Sequence, residues 1–261
     1  MMNLQRDTVA LVTGGSSGMG RAAALQFAKQ GAKVVVAARR EAAGNETVEQ
    51  IRQLGGEASF VQTDVSQPAA IEALIQTTIA LYGQLDYAFN NAGTEGVFAP
   101  ITQLTEANWD HTMNTNLKAV WLCLKYEIEH MIKQGTGGAI VNTSSWLAKG
   151  ALIGSTIYSA SKAGLDGMVR AAALECAQYG IRVNNVNPGI IDTEMFRRFG
   201  NPDDPNDAIV PVFTHHIPLK RLGSSEEVAE AVVWLCSDAA RYITGQTILI
   251  DGGFAIPGFR S

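Results

Sequence analysis

Short β-branched runs alternate with longer amphipathic runs along the whole chain, and this alternation constrains the fold more than any other feature. The spacing predicts strands over 8–13, 33–37, 58–62, 85–89, 139–142, 182–186 and 247–250. It predicts helices over 20–30, 41–54, 68–81, 108–133, 158–179 and 225–236. Several strand segments are continuously apolar, as in Val34-Val35-Val36. A sheet with one wet face alternates polar and apolar residues, whereas a continuous apolar run suits a strand buried on both faces. Strand–helix repetition with such strands predicts an α/β protein with a doubly wound parallel sheet flanked by helices. A (β/α)₈ barrel fits the length, but only seven strand segments are present, one short of closure.

With 261 residues and no linker-like break, residues 1–261 read as a single domain. The 46% hydrophobic and 17% charged shares exclude an intrinsically disordered chain. A formal net charge of −5 without a basic stripe points away from nucleic acid and from anionic membrane surfaces. No apolar run reaches the roughly 18 residues that a bilayer-spanning helix needs. Residues 1–8 are polar and carry no signal-peptide pattern. Cys123, Cys176 and Cys236 lie far apart in apolar helical patterns. They read as buried free thiols of a cytoplasmic protein, and their spacing provides no zinc site. The most irregular segment, 193–222, holds Pro202, Pro205, Pro211 and Pro218 among apolar residues. A linker would be more polar. The composition reads as a lid over a pocket, with an irregular surface excursion as the alternative.

The first strand runs into Thr13-Gly14-Gly15-Ser16-Ser17-Gly18-Met19-Gly20, and a helix follows. Glycines there let the chain turn tightly and let the backbone approach a pyrophosphate. The helix N-terminus adds free amide donors and the positive end of its dipole. The pattern is that of a dinucleotide site. An acid at the end of the second strand would select a ribose 2′-hydroxyl, but the chain reads Ala37-Ala38-Arg39-Arg40 there. Two guanidiniums suit a 2′-phosphate, so NADP(H) is favoured and NAD(H) is the alternative; either arginine facing solvent is the bland reading. Ser17 adds no second basic contact.

Tyr158 and Lys162 are four residues apart in a helical pattern and share one face. An ammonium near a phenol favours the phenolate and lowers its pKa from about 10. A tyrosine so tuned serves as a general acid or base. Such a pair is common on solvated helices, and context decides its meaning. The glycine stretch, Asp64-Val65, Asn90-Asn91-Ala92-Gly93, Asn116, Ser145 thirteen residues before Tyr158, and Asn187-Pro188-Gly189 with Thr193 follow in order. In these motifs, from Thr8 to Gly253, the chain resembles the short-chain dehydrogenase/reductase family in its compact, single-domain, Rossmann-type branch.

The resemblance implies a catalytic set of Asn116, Ser145, Tyr158 and Lys162. Tyr158 would pass a proton to or from the substrate oxygen and Ser145 would orient that oxygen. Lys162 would hold the nicotinamide ribose and lower the Tyr158 pKa, and Asn116 would fix a water in the proton path. Ser144 competes with Ser145, and the spacing favours Ser145. The implied cofactor contacts are Gly14, Ser16, Ser17, Gly18, Met19 and Gly20, then Arg39, Arg40, Asp64 and Val65. Asn91, Ala92 and Gly93 join them, with Pro188, Gly189, Ile191 and Thr193 around the nicotinamide. Trp146, Leu147, Leu152, Ile153, Met195, Phe196 and Phe199 fall near the implied pocket. If they line it, the substrate is partly apolar. Glu95 either meets a substrate hydroxyl or amine there or is an exposed loop carboxylate. His215 and His216 are adjacent, do not converge easily on a metal, and read as loop residues.

The implied activity is interconversion of a ketone and a secondary alcohol by hydride transfer. A 3-oxoacyl-thioester reductase acting on an acyl-carrier protein is the second reading, for which Arg197, Arg198, Lys220 and Arg221 would supply the basic surface. A nicotinamide-nucleotide sensor without turnover is the third. Leu117, Val120, Trp121, Leu124, Ile128 and Met131 recur at helical spacing. In the family that helix joins subunits, so the resemblance implies a homotetramer.

Overall fold

The computed structural model describes residue 4 and residues 7–200 and 209–256. Pro202 and Pro205 of the expected lid lie outside the described residues. Seven strands form one sheet: β1 (Val9–Thr13), β2 (Lys33–Ala38), β3 (Ala58–Gln62), β4 (Tyr87–Asn90), β5 (Gly138–Thr143), β6 (Ile181–Pro188) and β7 (Thr247–Ile250). All neighbours pair in parallel, in the order β3-β2-β1-β4-β5-β6-β7. The helices are α1 (Gly18–Lys29), α2 (Glu41–Gln53), α3 (Pro68–Tyr82), α4 (Glu106–Met113), α5 (Ala119–Gln134), α6 (Thr156–Cys176), α7 (Glu194–Arg197), α8 (Ile209–His216) and α9 (Ser225–Cys236).

The continuous valines of β2 do what a doubly wound sheet demands. Val34 and Val36 pack on one side with Phe27 of α1, Val48 and Ile51 of α2, and Val232 of α9. Val35 and Ala37 pack on the other with Leu74 of α3, Val120 of α5 and Leu165 of α6. Phe27 is completely buried. Burying a side chain of that size stabilises the fold by roughly 1.5–3 kcal/mol, so Phe27→Ala would remove a large part of a typical domain's margin. The three cysteines are free and buried, and burial pushes the Cys176 thiol up to about 11 and the Cys236 thiol up to about 12.

Two helical expectations change. The single helix expected over 108–133 begins earlier, because Thr105 and Asn108 form a reciprocal cap that starts α4. It is then interrupted by a π turn over Asn114–Lys118 before α5. The helix expected from Tyr158 starts at Thr156, and α6 closes through a 3₁₀ turn onto Gly180 at φ +71°. Among its described residues the 193–222 segment, expected as a lid or an irregular excursion, contains the helices α7 and α8. Its base is pinned by an isolated bridge between Ile191 and Gly223. Among the described residues, no helix is long and apolar enough to cross a membrane.

Candidate active site

The strand order reverses direction at β1, whose neighbours are β2 and β4. Open α/β sheets form a crevice at such a point, outside the carboxyl ends of the strands. Here the loop after β1 faces the loop after β4. Asn91 and Ala92 both donate their backbone N–H to Thr13 Oγ1, at 3.0 and 3.2 Å. Gly14 sits at φ +67°, and a Cβ there would lie 3.0 Å from Ala92 Cα. Gly20 matters for packing instead, since a Cβ would stand 2.2 Å from the Gly14 carbonyl oxygen. Its bare backbone lets α1 press against the loop.

A cleft of about 500 Å³ opens there. Gly14, Ser16, Ser17, Gly18 and Met19 line it, as do Arg39, Arg40, Asp64 and Val65, then Asn91, Ala92, Gly93 and Thr193. Gly20 does not line it and acts through packing. Ser17 caps α1 without a side-chain bond, which leaves the helix's first amides facing the loop. Burial pushes the Asp64 carboxyl up, but bonds from Ser66 and the nearby Arg39 and His111 hold it below its ordinary value. Arg40 is tied to Glu194 of α7 at 3.2 Å.

A second cavity, of about 150 Å³, adjoins the cleft and shares Met19, Asn91, Gly93 and Thr193 with it. Ser145, Tyr158 and Lys162 line this cavity together with Pro188, Gly189 and Ile191. The Ser145 hydroxyl accepts from Leu147 N–H at 3.1 Å and hydrogen-bonds Tyr158. Ser144 also lines the cavity, but its hydroxyl donates to the Lys162 carbonyl at 3.0 Å, which commits it to the helix backbone. Lys162 Nζ donates to the Thr143 carbonyl at 2.7 Å and stands 5.8 Å from the Tyr158 ring centre.

The expected phenol acidification is not what this geometry produces. Burial pushes Tyr158 up to about 12, outweighing the Ser145 bond, and Glu95 adds to the rise. Burial also pulls Lys162 down to about 8, against the opposing charge of Asp166. The ammonium is anchored to a strand carbonyl beyond the ring, and desolvation of both groups dominates. Asn116 differs too. It is fully buried in the π turn and lines neither cavity. Its side chain accepts from Thr94 N–H and donates to the Thr94 carbonyl, both at 2.8 Å, so the amide clamps the loop rather than facing the cavity.

The exposed cavity wall is largely apolar. Trp146, Leu147, Leu152, Met195, Phe196 and Phe199 line it as expected. Ile153 does not: it is 93% exposed, while the neighbouring Leu152 borders the cavity with 38% of its surface exposed. Phe98, Ile190 and Phe213 line the cavity as well, beyond the residues that the sequence pointed to. Phe98 stacks edge-on against Phe199 at 5.0 Å and lies 6.0 Å from the Tyr158 ring. Phe213 comes from α8, within the 193–222 segment. Glu95 lines both cavities and holds Arg198 in a two-pronged ion pair at 2.7 and 2.9 Å. It is neither a free substrate contact nor an exposed carboxylate; it fastens the end of α7 to the loop after β4.

Comparison with known proteins accords with this geometry. The family described as Enoyl-(Acyl carrier protein) reductase matches residues 14–255. A short chain dehydrogenase/reductase of Aspergillus oryzae is 39% identical over 253 residues, covering 95% of each chain. Cyclohexanol dehydrogenase of an Acinetobacter species is 37% identical over 254 residues, covering 97% of each chain. The crystal structure of levodione reductase matches with a TM-score of 0.92 at 33% identity, covering 98% of this chain and 100% of that one. The chain belongs to the short-chain dehydrogenase/reductase family, oxidoreductases that work with a nicotinamide cofactor. The cleft fits such a dinucleotide. Its glycine loop has no room for a Cβ at Gly14, Gly20 packs behind that loop, and Arg39 and Arg40 line the cleft.

Proposed function

We propose that the protein interconverts a small, apolar, ring-shaped ketone and its secondary alcohol, with NADP(H) preferred over NAD(H). The observation that carries this reading is the position of Ser145, Tyr158 and Lys162 on a largely apolar cavity that adjoins the glycine-lined cleft. An apolar cavity of about 150 Å³ accommodates a ring the size of benzene. The names of two relatives, cyclohexanol dehydrogenase and levodione reductase, support a cyclic substrate. NADP(H) preference rests on Arg39, which lines the cleft where no acid ends β2.

The bound nicotinamide supplies or takes the hydride. Reduction builds negative charge on the carbonyl oxygen. Ser145 and Tyr158 donate hydrogen bonds to that oxygen, and Tyr158 gives it a proton. A phenol held near 12 is fully protonated at neutral pH, so it stands ready as the acid. Lys162 holds positive charge beside the phenolate that Tyr158 leaves. Asn116 keeps the Thr94 loop in place beside the cavity. The carrier-protein reading is disfavoured because its arginines are already paired: Arg197 with Asp192, Arg198 with Glu95 and Arg221 with Glu227. The half-exposed Trp121, beside a groove lined by Leu117 and Met168, supports self-association along α5 and α6. The buried thiols suit a reducing, cytoplasmic setting.

The test follows oxidation of NADPH and NADH with cyclic ketones, linear ketones and 3-oxoacyl thioesters. Turnover is expected with NADPH and cyclic ketones, and Tyr158→Phe should lower kcat by roughly 10²–10⁴-fold. A preference for carrier-bound thioesters, or a Tyr158→Phe enzyme with most of its activity, overturns the reading.

A further inference from the structure

The catalytic helix carries a second buried charge that the reaction scheme leaves without a part. Asp166 lies four residues after Lys162 on α6, one helical turn along the same face, and is almost completely buried. It terminates a ladder of asparagines laid across three adjacent strands. Asn90 of β4 is in register with Asn142 of β5, and Asn142 with Asn185 of β6. Asn90 Nδ2 donates to Asn142 Oδ1 at 3.1 Å, and Asn142 Nδ2 donates to Asn185 Oδ1 at 3.0 Å. Asn185 Nδ2 donates to Asp166 Oδ1 at 3.1 Å. The other oxygen, Asp166 Oδ2, accepts from Asn187 Nδ2 at 3.1 Å, and the same amide donates to the Ser145 carbonyl at 2.9 Å. Asp166 thus reaches the backbone of Ser145 through one amide and stands one turn from Lys162.

We propose that Asp166 is a positioning residue of the reaction, holding Asn187 on the Ser145 carbonyl and supplying the negative charge that faces Lys162. This rests on the roles assigned above to Ser145, Tyr158 and Lys162. Among the described residues, β5 presents the Thr143 carbonyl to Lys162, the loop after β4 presents Gly93, and the π turn presents Asn116 behind it. Tyr158 and Asp166 face Lys162 from its own helix, and Glu95, on the loop after β4, lines the same cavity with its charge paired to Arg198. A buried carboxylate is expensive unless it is hydrogen-bonded, and an apolar residue at this helix position would pack without that penalty. The amides from Asn185 and Asn187 are what make the charge tolerable here. Through them the charge of Asp166 and the carbonyl of Ser145 are set by one side chain.

The ladder suggests a variant pair that separates charge from scaffolding. Asp166→Asn removes the charge. Asp166→Asn with Asn185→Asp moves it from α6 onto β6 and keeps a donor opposite every acceptor. Asn142 still donates to position 185, the amide introduced at position 166 donates to the new carboxylate, and Asn187 donates to the oxygen of that amide. The readout independent of activity is the Cε resonance of Lys162 in lysine-labelled protein, assigned by its loss in Lys162→Arg and titrated with pH. We expect the Lys162 midpoint to fall by about one pH unit or more in Asp166→Asn and by less in the charge-moved variant, since loss of a unit charge one turn away in a protein interior exceeds a tenfold effect. If the wild type turns over ketones, kcat should fall more at pH 8 than at pH 6 in both, with KM little changed. A Lys162 midpoint that stays at the wild-type value in Asp166→Asn overturns the proposal. So does a kcat in Asp166→Asn equal to that of the wild type at both pH values. If the wild type is inactive on every ketone, the functional reading fails, while the Lys162 titration still decides the part played by Asp166.

Discussion

The opposite end of the asparagine ladder offers the sharpest energetic test. Glu127 of α5 is completely buried; one carboxylate oxygen accepts from Asn90 Nδ2 at 2.9 Å. Its other oxygen and Asn90 Oδ1 have no partner among the described residues. Burial pushes the carboxyl from an ordinary 4.5 up to about 7, against the lowering effect of the Asn90 bond. The folded state therefore keeps a proton that the unfolded chain releases between pH 4.5 and pH 7. In that window the native state binds more protons, so stability falls as pH rises and levels off above pH 7. The interval corresponds to about 3 kcal/mol, and relaxation around the charge reduces this to about 2. Glu127→Gln cannot titrate and brings a donor to a site that lacks one. Urea unfolding of both proteins at pH 5 and pH 8 measures the effect. The variant should gain about 2 kcal/mol on the wild type between the two conditions. An equal difference at both pH values, or a larger variant deficit at pH 8, would refute the argument that Glu127 is lifted by burial.

Arg39→Ala should weaken NADPH binding by roughly 10- to 100-fold and NADH binding far less, as loss of a charge-assisted phosphate bond implies; equal losses in a fluorescence titration would show that Arg39 does not read the 2′-phosphate. Gly20→Ala should abolish binding of both cofactors in the same titration, because its Cβ meets a backbone oxygen at 2.2 Å, which cannot rotate away. Trp146→Ala should raise KM for a cyclic ketone by roughly 10-fold or more with cofactor affinity unchanged, since Trp146 packs edge-on against Phe254 at 4.7 Å in the cavity wall. A KM within twofold of the wild type would remove Trp146 from the substrate's surroundings.

Most of the architecture was legible because it is written in local periodicity. The Val34-Val35-Val36 run demanded a sheet covered on both faces, and each valine found a helix on its own side. The glycine loop was legible for the same reason, since φ and close approach are properties of single residues. What escaped depended on partners distant in the chain. The π turn over Asn114–Lys118 leaves the apolar spacing almost intact and moves the pattern by only one residue. The clamp by which Asn116 holds Thr94 joins residues 22 apart, and nothing local marks it. Tyr158 and Lys162 were found by spacing, but their protonation follows from burial, which only the folded packing determines. Ile153 and Leu152 are equivalent by composition. Only the folded loop shows that Leu152 borders the cavity and that Ile153 lies in solvent.

The strand order has a consequence for how such a chain emerges from the ribosome. β2 and β3 add outward from β1, and β4 then takes the opposite side of β1, so the cofactor half of the sheet is complete once Asn90 is made. From that point β5, β6 and β7 join in chain order, each on the strand synthesised before it. No later strand has to be inserted between two earlier ones. From β4 onward the nascent sheet therefore exposes one growing edge at a time, besides the outer edge of β3, and its last addition, β7, pairs with β6. An uncovered edge is the part of a sheet most open to pairing with another chain, and once β4 is in place this topology keeps a single one in waiting on the growing side.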